Sequence, residues 1–337
     1  MPDLRAPFIW FGGKRRVADL VWSALGDVDN YVEPFAGSLA VLLARPAWHR
    51  GRTETVNDAD MFLSNFWRAL AGDPEAVASW ADWPVNEADL FARHLWLVND
   101  GRATLAAGIE RDPDWYDAKI AGWWVWGLNS WIGSGWCSGE GPWTPETVGL
   151  GDAGQGVNRQ LPHLGDAGQD GSILGINEPL YRYFRDLAAR LRRVRVCCGD
   201  WSRVVTDGAL AHGSSVGVFL DPPYLESLRD PGCYSTETPG VSVAARDWAI
   251  SAGNDPRVRI VLAGYEPEHE EAMARAGWTM HTYTASAAYQ TRAQTGGGKG
   301  NQANRRLERL WFSPHCQHTS QKMFKFGALE CEGDCGT

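Results

Sequence analysis

A five-residue apolar run, Val216-Gly-Val-Phe-Leu220, stops at Asp221-Pro222-Pro223-Tyr224. The run reads as a short buried strand. Two consecutive prolines cannot extend a helix or donate to a sheet ladder, so the strand must end in a stiff turn. That turn presents a carboxylate, proline carbonyls and an aromatic ring within four residues. A planar amine, held by acceptors and stacked on its face, suits such a set; the exocyclic amine of a nucleobase is one.

Further strand-like segments are read over 31–35, 53–56, 193–198, 257–263, 278–283 and 306–312, besides 215–220. Helical patterns over 38–45, 201–211, 243–252 and 266–276 fall between them. Alternation of this kind predicts a mostly parallel α/β sheet. The last two strands have no helix between them, which predicts an antiparallel edge. From Asp60 to Arg192 there is no strand pattern. Helices are expected at 60–70, 74–81, 86–99 and 113–129, followed by a glycine-rich stretch in which Leu150-Gly-Asp-Ala-Gly-Gln155 recurs as Leu164 to Gln169. Two copies are too few for a solenoid and read as a polar loop with a local duplication. The segment is far longer than a βα connection. The expected division is a discontinuous catalytic domain, 1–60 and 193–315, a helical Trp/Gly-rich insertion, 61–192, and a flexible tail, 316–337.

Hydrophobic residues at 44% and charged residues at 22% are those of a globular protein. No apolar run approaches ~18 residues, so no membrane span is expected. The first ten residues lack a signal-peptide pattern, and the seven cysteines are an odd count. We read them as reduced thiols in a cytoplasm. The net charge of −9 counts against a polyanionic partner. Basic residues nevertheless cluster at 14–16, 182–195 and 292–309, and many of the 18 tryptophans lie between Trp115 and Trp143.

Several motifs have both a chemical and a structural reading. Glu33-Pro34-Phe35-Ala36-Gly37-Ser38 lies between strand and helix, where small residues let a ligand approach the backbone; any βα turn also favours glycine. Asp58, about 20 residues further on, can accept both hydroxyls of a ribose or cap a helix. Trp10-Phe11-Gly12-Gly13-Lys14 lacks the phosphate-loop spacing. Its lysine can reach a carboxylate or phosphate, or the segment simply starts a helix. Cys197 and Cys198 point to opposite faces of a strand and read as small hydrophobes, with Asp200 and Trp201 at the strand end. The His315, Cys316, His318, Cys331 and Cys335 set has no standard zinc spacing, and no metal is expected. Trp123, Trp124 and Trp126 read as core. Trp131, Ser134 and Trp136 are the candidates for wedging or stacking on bases.

Taken in order, Trp10-x-x-Gly-Lys14, Glu33-Pro-Phe-x-Gly37, Asn57-Asp58 and Asp221-Pro-Pro-Tyr224 resemble the Dam-type family of DNA adenine-N6 methyltransferases. The resemblance implies a Rossmann-like S-adenosylmethionine-dependent sheet with an inserted, mainly helical target-recognition domain. It implies that Trp10, Gly13 and Lys14 help hold S-adenosylmethionine, with Lys14 near its carboxylate. Phe35 and Gly37 line the methionine end, Glu33 and Pro34 are further cofactor contacts, Asp58 takes the ribose hydroxyls, and Asp200 and Trp201 close the adenine pocket. Asp221, itself also against the cofactor, Pro222, Pro223 and Tyr224 form the catalytic turn, and S-adenosylhomocysteine is the by-product. Phe11 stands where the family has a small residue. The insertion does not match the Dam pattern, so GATC specificity does not carry over.

The implied partner is double-stranded DNA, with Arg292, Lys299 and Arg305 joining the three insertion residues as contacts. A bacterial or phage origin, a cognate restriction enzyme and a monomer or weak dimer fit the same resemblance. Asp-Pro-Pro-Tyr alone is shared with enzymes that methylate cytosine N4 or protein glutamine. Those substrates, an RNA adenine, a non-catalytic DNA-binding relative and a small-molecule α/β enzyme with a loop lid are the competing readings.

Overall fold

The computed structural model describes residues 4–10, 13–46, 48, 52–112, 114–131, 136–137, 162, 177–223, 240–283 and 308–317. After α1 (Ala18–Leu25) come β1 (Asn30–Glu33), α2 (Ala40–Leu43) and β2 (Thr53–Asp58). A helical series follows: α3 (Met61–Gly72), α4 (Pro74–Ala81), α5 (Glu87–Trp96), α6 (Arg102–Arg111), α7 (Ala118–Ser130) and α8 (Glu178–Leu191). The sheet resumes with β3 (Val194–Cys198), α9 (Asp207–Leu210), β4 (Val216–Leu220), α10 (Val241–Ala252), β5 (Val258–Tyr265), α11 (Glu266–Arg275), β6 (Thr279–Thr282) and β7 (Glu308–Phe312).

The strands form one sheet in the order β3-β2-β1-β4-β5-β7-β6. The first five are parallel, and β7 runs antiparallel to both β5 and β6. The antiparallel edge expected from the missing helix is present, with β7 inserted between its neighbours. Side chains alternate across the pleat. Tyr31, Phe219, Val261 and Ala263 join one core, whereas Val32, Val218, Leu220, Ile260 and Leu262 join the other. With both faces covered, β4 is buried along its whole length.

Among the described residues, the helices between β2 and β3 share their core with the sheet. Phe66, Trp67, Trp124 and Phe184 share one buried cluster with Phe8, Val56 and Phe219. Phe8 makes edge contacts with Phe66 at 5.5 Å and with Trp124 at 5.3 Å. Such edge geometry suits the aromatic quadrupole. The three α7 tryptophans behave as the sequence suggested: Trp124 and Trp126 are buried and Trp123 packs against the core. Cations lie against these rings, with Arg93 4.2 Å from the Trp126 centroid and Lys119 4.4 Å from those of Trp96 and Trp123.

Three local expectations change. The helix starting near residue 86 was expected to stop at Asn99, before Asp100-Gly101. Instead it widens into a π turn over Leu97–Gly101 and continues as α6. The Asn99 side chain donates back to the Leu95 carbonyl at 2.9 Å, so it supports the widened turn rather than ending the helix. Trp136, offered above to DNA, is buried. Its indole N–H donates to the Trp124 carbonyl at 3.0 Å, and its ring lies over Gly127. Cys316 and Gln317, assigned to a flexible tail, are part of the packed protein: the Cys316 thiol meets the Ile260 carbonyl, and the Gln317 amide donates to Ala24.

Gly127 explains the position of Trp136. A Cβ there would fall 1.8 Å from the indole ring. Gly127→Ala is expected to cost about 1–3 kcal/mol through overpacking, despite the better helix propensity of alanine. Urea denaturation measures this; an unchanged or higher midpoint would contradict the packing.

Candidate functional site

The carboxyl ends of β1 and β4 mark the point where strand order reverses, and open α/β sheets bind ligands in the crevice there. The Glu33 to Gly37 turn leaves β1 at this crevice, Asp58 ends β2, and Asp221 follows β4. The turns are stitched together by Asn57. Its amide donates to the carbonyls of Pro34 at 3.1 Å and Gly199 at 2.9 Å. The backbone repeats the link, Ala36 donating to Asn57 and Gly199 to Asp58.

Gly37 is glycine for two reasons. Its φ is +47°, and a Cβ would lie 2.9 Å from the Trp10 ring. Its N–H donates to Asp58 Oδ2 at 3.0 Å, and its carbonyl accepts the Trp67 indole N–H at 3.1 Å. Asp58 therefore does not cap α3; Asp60 does, accepting from Phe62 and Leu63. Two residues on, Leu39 is buried with φ 54°. A left-handed leucine costs roughly 1–2 kcal/mol, which its burial offsets, and α2 starts only after it. That delay makes α2 shorter than the helix read over 38–45.

The N-terminal segment bridges both sides of the crevice. Trp10 lies on Gly37, Gly13 turns the chain by donating to the Trp10 carbonyl, and Lys14 reaches Asp221. Lys14 Nζ is 2.9 Å from Asp221 Oδ2, the lysine side chain 5% exposed and the aspartate 20%. The family resemblance set Lys14 beside a cofactor carboxylate. The structure pairs this lysine with the protein's own Asp221. Burial opposes the ammonium, but the anions Asp221 and Glu308 outweigh it and hold the lysine pKa above its usual value.

Glu33 is buried and pushed up to about 8 by desolvation, although it accepts the Tyr31 hydroxyl at 2.9 Å; the charge of Asp221 pushes the same way. Burial likewise raises Asp58 to about 6. Between their ordinary values of 4.5 and 3.8 and these folded ones, the native protein binds more protons than the unfolded chain. Stability then falls as pH rises through that window. His94 and His269, lowered by burial to about 4 and 3, act oppositely below their ordinary 6.5. Above that point the Glu33 contribution remains. The urea midpoint is expected to drop between about pH 6.5 and 8.5, and Glu33→Gln is expected to flatten the drop. An identical slope in that variant would remove Glu33 as its origin.

Phe35 stacks on Trp201, centroids 5.8 Å apart at 29°, and Trp201 meets Trp248 edge-on at 6.1 Å. The β1 turn and the end of β3 thus share an aromatic wall. Asp200 caps the short helix Trp201–Val204. Pro34, Pro222 and Pro223 lie at the same sheet end as these residues. At the same end of the sheet stand three residues that no sequence motif indicated: Tyr265 at the end of β5, Glu308 at the start of β7, and Tyr283, whose hydroxyl donates to Glu308 Oε2 at 2.7 Å.

The proposed DNA contacts divide. Trp131 is half-buried and stacked on His94, centroids 5.2 Å apart at 14°. Within the basic segment 182–195, Arg190 is buried and bound to Glu54, and Arg185 holds Glu75 and Glu178. Arg190 is thereby taken out of reach of phosphate, whereas Arg182, Arg185, Arg192, Arg193 and Arg195 are exposed. Arg309, from the other basic segment, is bound to Glu266. Tyr224, Ser134, Arg292, Lys299, Arg305 and both copies of the duplicated loop lie outside the described residues.

Among the described residues, no group of three or more His, Cys, Asp or Glu side chains gathers to hold a metal, and no helix is long and apolar enough to cross a membrane. No curated protein matches this sequence. A family model does match residues 10–91, a segment that carries Trp10, Lys14, Gly37 and Asp58 and ends well before Asp221. That model describes the D12 class N6 adenine-specific DNA methyltransferases, a family of enzymes that methylate adenine in DNA, and residues 10–91 of this chain are similar to it.

Proposed function

We propose that this protein transfers a methyl group from S-adenosylmethionine to N6 of an adenine flipped out of double-stranded DNA. The observation that carries the reading is the bridge 10–14, which joins the Gly37–Asp58 side of the crevice to the Asp221 carboxylate through Lys14. The crevice suits the cofactor in its donor set. Gly37 lets the Trp10 ring pack directly on the β1 turn, Asp58 brings acceptor oxygens, and Phe35 with Trp201 offers an aromatic wall. Trp10, Glu33, Pro34, Phe35, Gly37, Asp58, Asp200 and Trp201 are the residues that would hold it. When bound, it supplies an electrophilic methyl on a sulfonium.

The remaining chemistry belongs to the chain. Flipping costs a few kcal/mol of stacking and pairing, and Tyr224 is assigned to stack on the extruded ring. Asp221 and the Pro222 carbonyl accept the two N6 hydrogens, which draws the nitrogen lone pair out of conjugation. The amine forms the new nitrogen–carbon bond as the carbon–sulfur bond breaks and its electron pair returns to sulfur. One proton then leaves the nitrogen for solvent through the acceptors that held it. Positioning and electrostatics supply the acceleration, with no covalent enzyme intermediate. Among the basic residues, exposed Arg182, Arg192, Arg193 and Arg195 are assigned to phosphate, and DNA affinity is expected to fall steeply with salt.

Incubation with tritiated cofactor and duplex DNA, followed by nucleoside analysis, tests the reading. Labelled N6-methyldeoxyadenosine is expected. Label in N4-methylcytosine, in RNA or in protein instead would replace it with another amine methylation, and cofactor binding without transfer would point to a non-catalytic relative.

A further inference from the structure

Resting on the reaction just proposed, we infer that Glu308, steadied by Tyr283, is a positioning residue that orients Asp221 through Lys14. The sheet brings the three elements to one end. Leu220, the residue before Asp221, pairs with Leu262 on β5, and Tyr265 at the end of β5 pairs with Glu308. Thr282 pairs with Arg309, which sets Tyr283 beside Glu308, and the phenol donates to the glutamate at 2.7 Å. Asp221 and Glu308 therefore stand two strands apart at the same sheet end, and both act on the buried Lys14 ammonium.

A buried ammonium facing a single carboxylate would draw both of its oxygens inward. Asp221 needs an oxygen directed at the substrate amine. A second anion acting on Lys14 divides the attraction, so that the ammonium does not rely on Asp221 alone, which it meets at 2.9 Å through Oδ2. It also keeps Lys14 charged against the desolvation that opposes it. Glu308 can serve only if its own carboxylate is fixed. Burial, together with the charges of Glu308 and Asp221, drives the Tyr283 pKa upward, so its phenol stays a hydrogen-bond donor. The groups facing Lys14 in this account are Asp221 and Glu308, with Glu33, Tyr265 and Tyr283 around them.

The test uses the full chain and the variants Glu308→Gln, Glu308→Asp and Tyr283→Phe. Glu308→Gln is expected to lower kcat about tenfold or more, while KM for DNA and the cofactor dissociation constant stay within roughly threefold. Glu308→Asp should recover part of the loss, and Tyr283→Phe should show a smaller one. Cofactor affinity falling in proportion to kcat, or unchanged kcat, overturns the inference. A second readout is independent of turnover. The Lys14 ammonium, followed by NMR of its 13C-labelled side chain, should titrate at least about one unit lower in Glu308→Gln; an unchanged titration overturns the inference even in an active enzyme. If the wild-type protein transfers no methyl to DNA, the reaction reading fails by itself, and the titration still decides whether Glu308 acts on Lys14.

Discussion

Asp221→Asn is expected to reduce methyl transfer by roughly 10²–10³-fold, the usual loss when one preorganised electrostatic partner is removed at a reacting centre. The substitution keeps the shape and one acceptor oxygen but removes the charge that faces Lys14. Asp221→Ala is a poorer experiment than the sequence alone suggests. It leaves a lysine of 5% exposure without the partner 2.9 Å away, and stripping one member from a buried pair costs about 3–5 kcal/mol. Glu308 softens that cost, because it is a second anion acting on Lys14. The alanine variant is thus expected to lose both activity and stability, and the asparagine variant mainly activity. Tritium transfer from labelled cofactor to DNA, beside a urea titration of each variant, separates the two effects. Near-wild-type transfer by Asp221→Asn would falsify the assigned role.

The largest expected effect on stability lies elsewhere, at Glu54. This β2 residue accepts from Arg45 at 2.9 Å and from Arg190 at 2.7 and 2.9 Å, and both arginine side chains are 1% exposed. The arginines are themselves anchored, Arg45 to the Val28 carbonyl and Arg190 to that of Leu42. Arg190 belongs to the last helix of the insertion, so the triad ties that segment to the sheet across 136 residues of sequence. Glu54→Gln leaves the buried Arg190 guanidinium without the carboxylate it binds, and leaves Arg45 with only the more distant Asp27 carboxylate, 3.9 Å away. A loss of about 3–5 kcal/mol is expected, a large share of the ~5–15 kcal/mol that holds a typical domain. Replacing all three together, Arg45→Met, Glu54→Leu and Arg190→Met, should cost much less, because no charge remains to be desolvated. A Glu54→Gln loss below about 1 kcal/mol in urea denaturation would show that the triad is not desolvated as its burial indicates.

Arg190 also shows where reading the sequence stops. In sequence it is one of several arginines in a basic run, and a run of charges cannot tell which member turns inward. The packing of α8 on α3 and α4, which turns Arg190 toward Glu54 of β2, decides it. Trp136 is a similar case. An aromatic in a glycine-rich segment can reach outward or fold back, and the gap at Gly127 draws it into the core. The helix read over 86–99 runs on through a π turn at Leu97–Gly101, which helical periodicity in the sequence does not mark.

The elements and their order were legible because their causes are local. Apolar alternation, proline and glycine placement and capping residues act over a few positions, and they predicted the seven strands, the antiparallel edge and the turns at Gly37, Asp58 and Asp221. The chain alone determined which chemical groups arrive at the carboxyl end of the sheet. Only the folded arrangement decided what they do to one another: Lys14 paired with Asp221, Asp58 accepting from the Gly37 amide, and Glu308 with Tyr283 added to the cleft. Those relations depend on distances of about 3 Å between residues far apart in sequence. At that range burial and charge set each group's behaviour, and no local pattern encodes it.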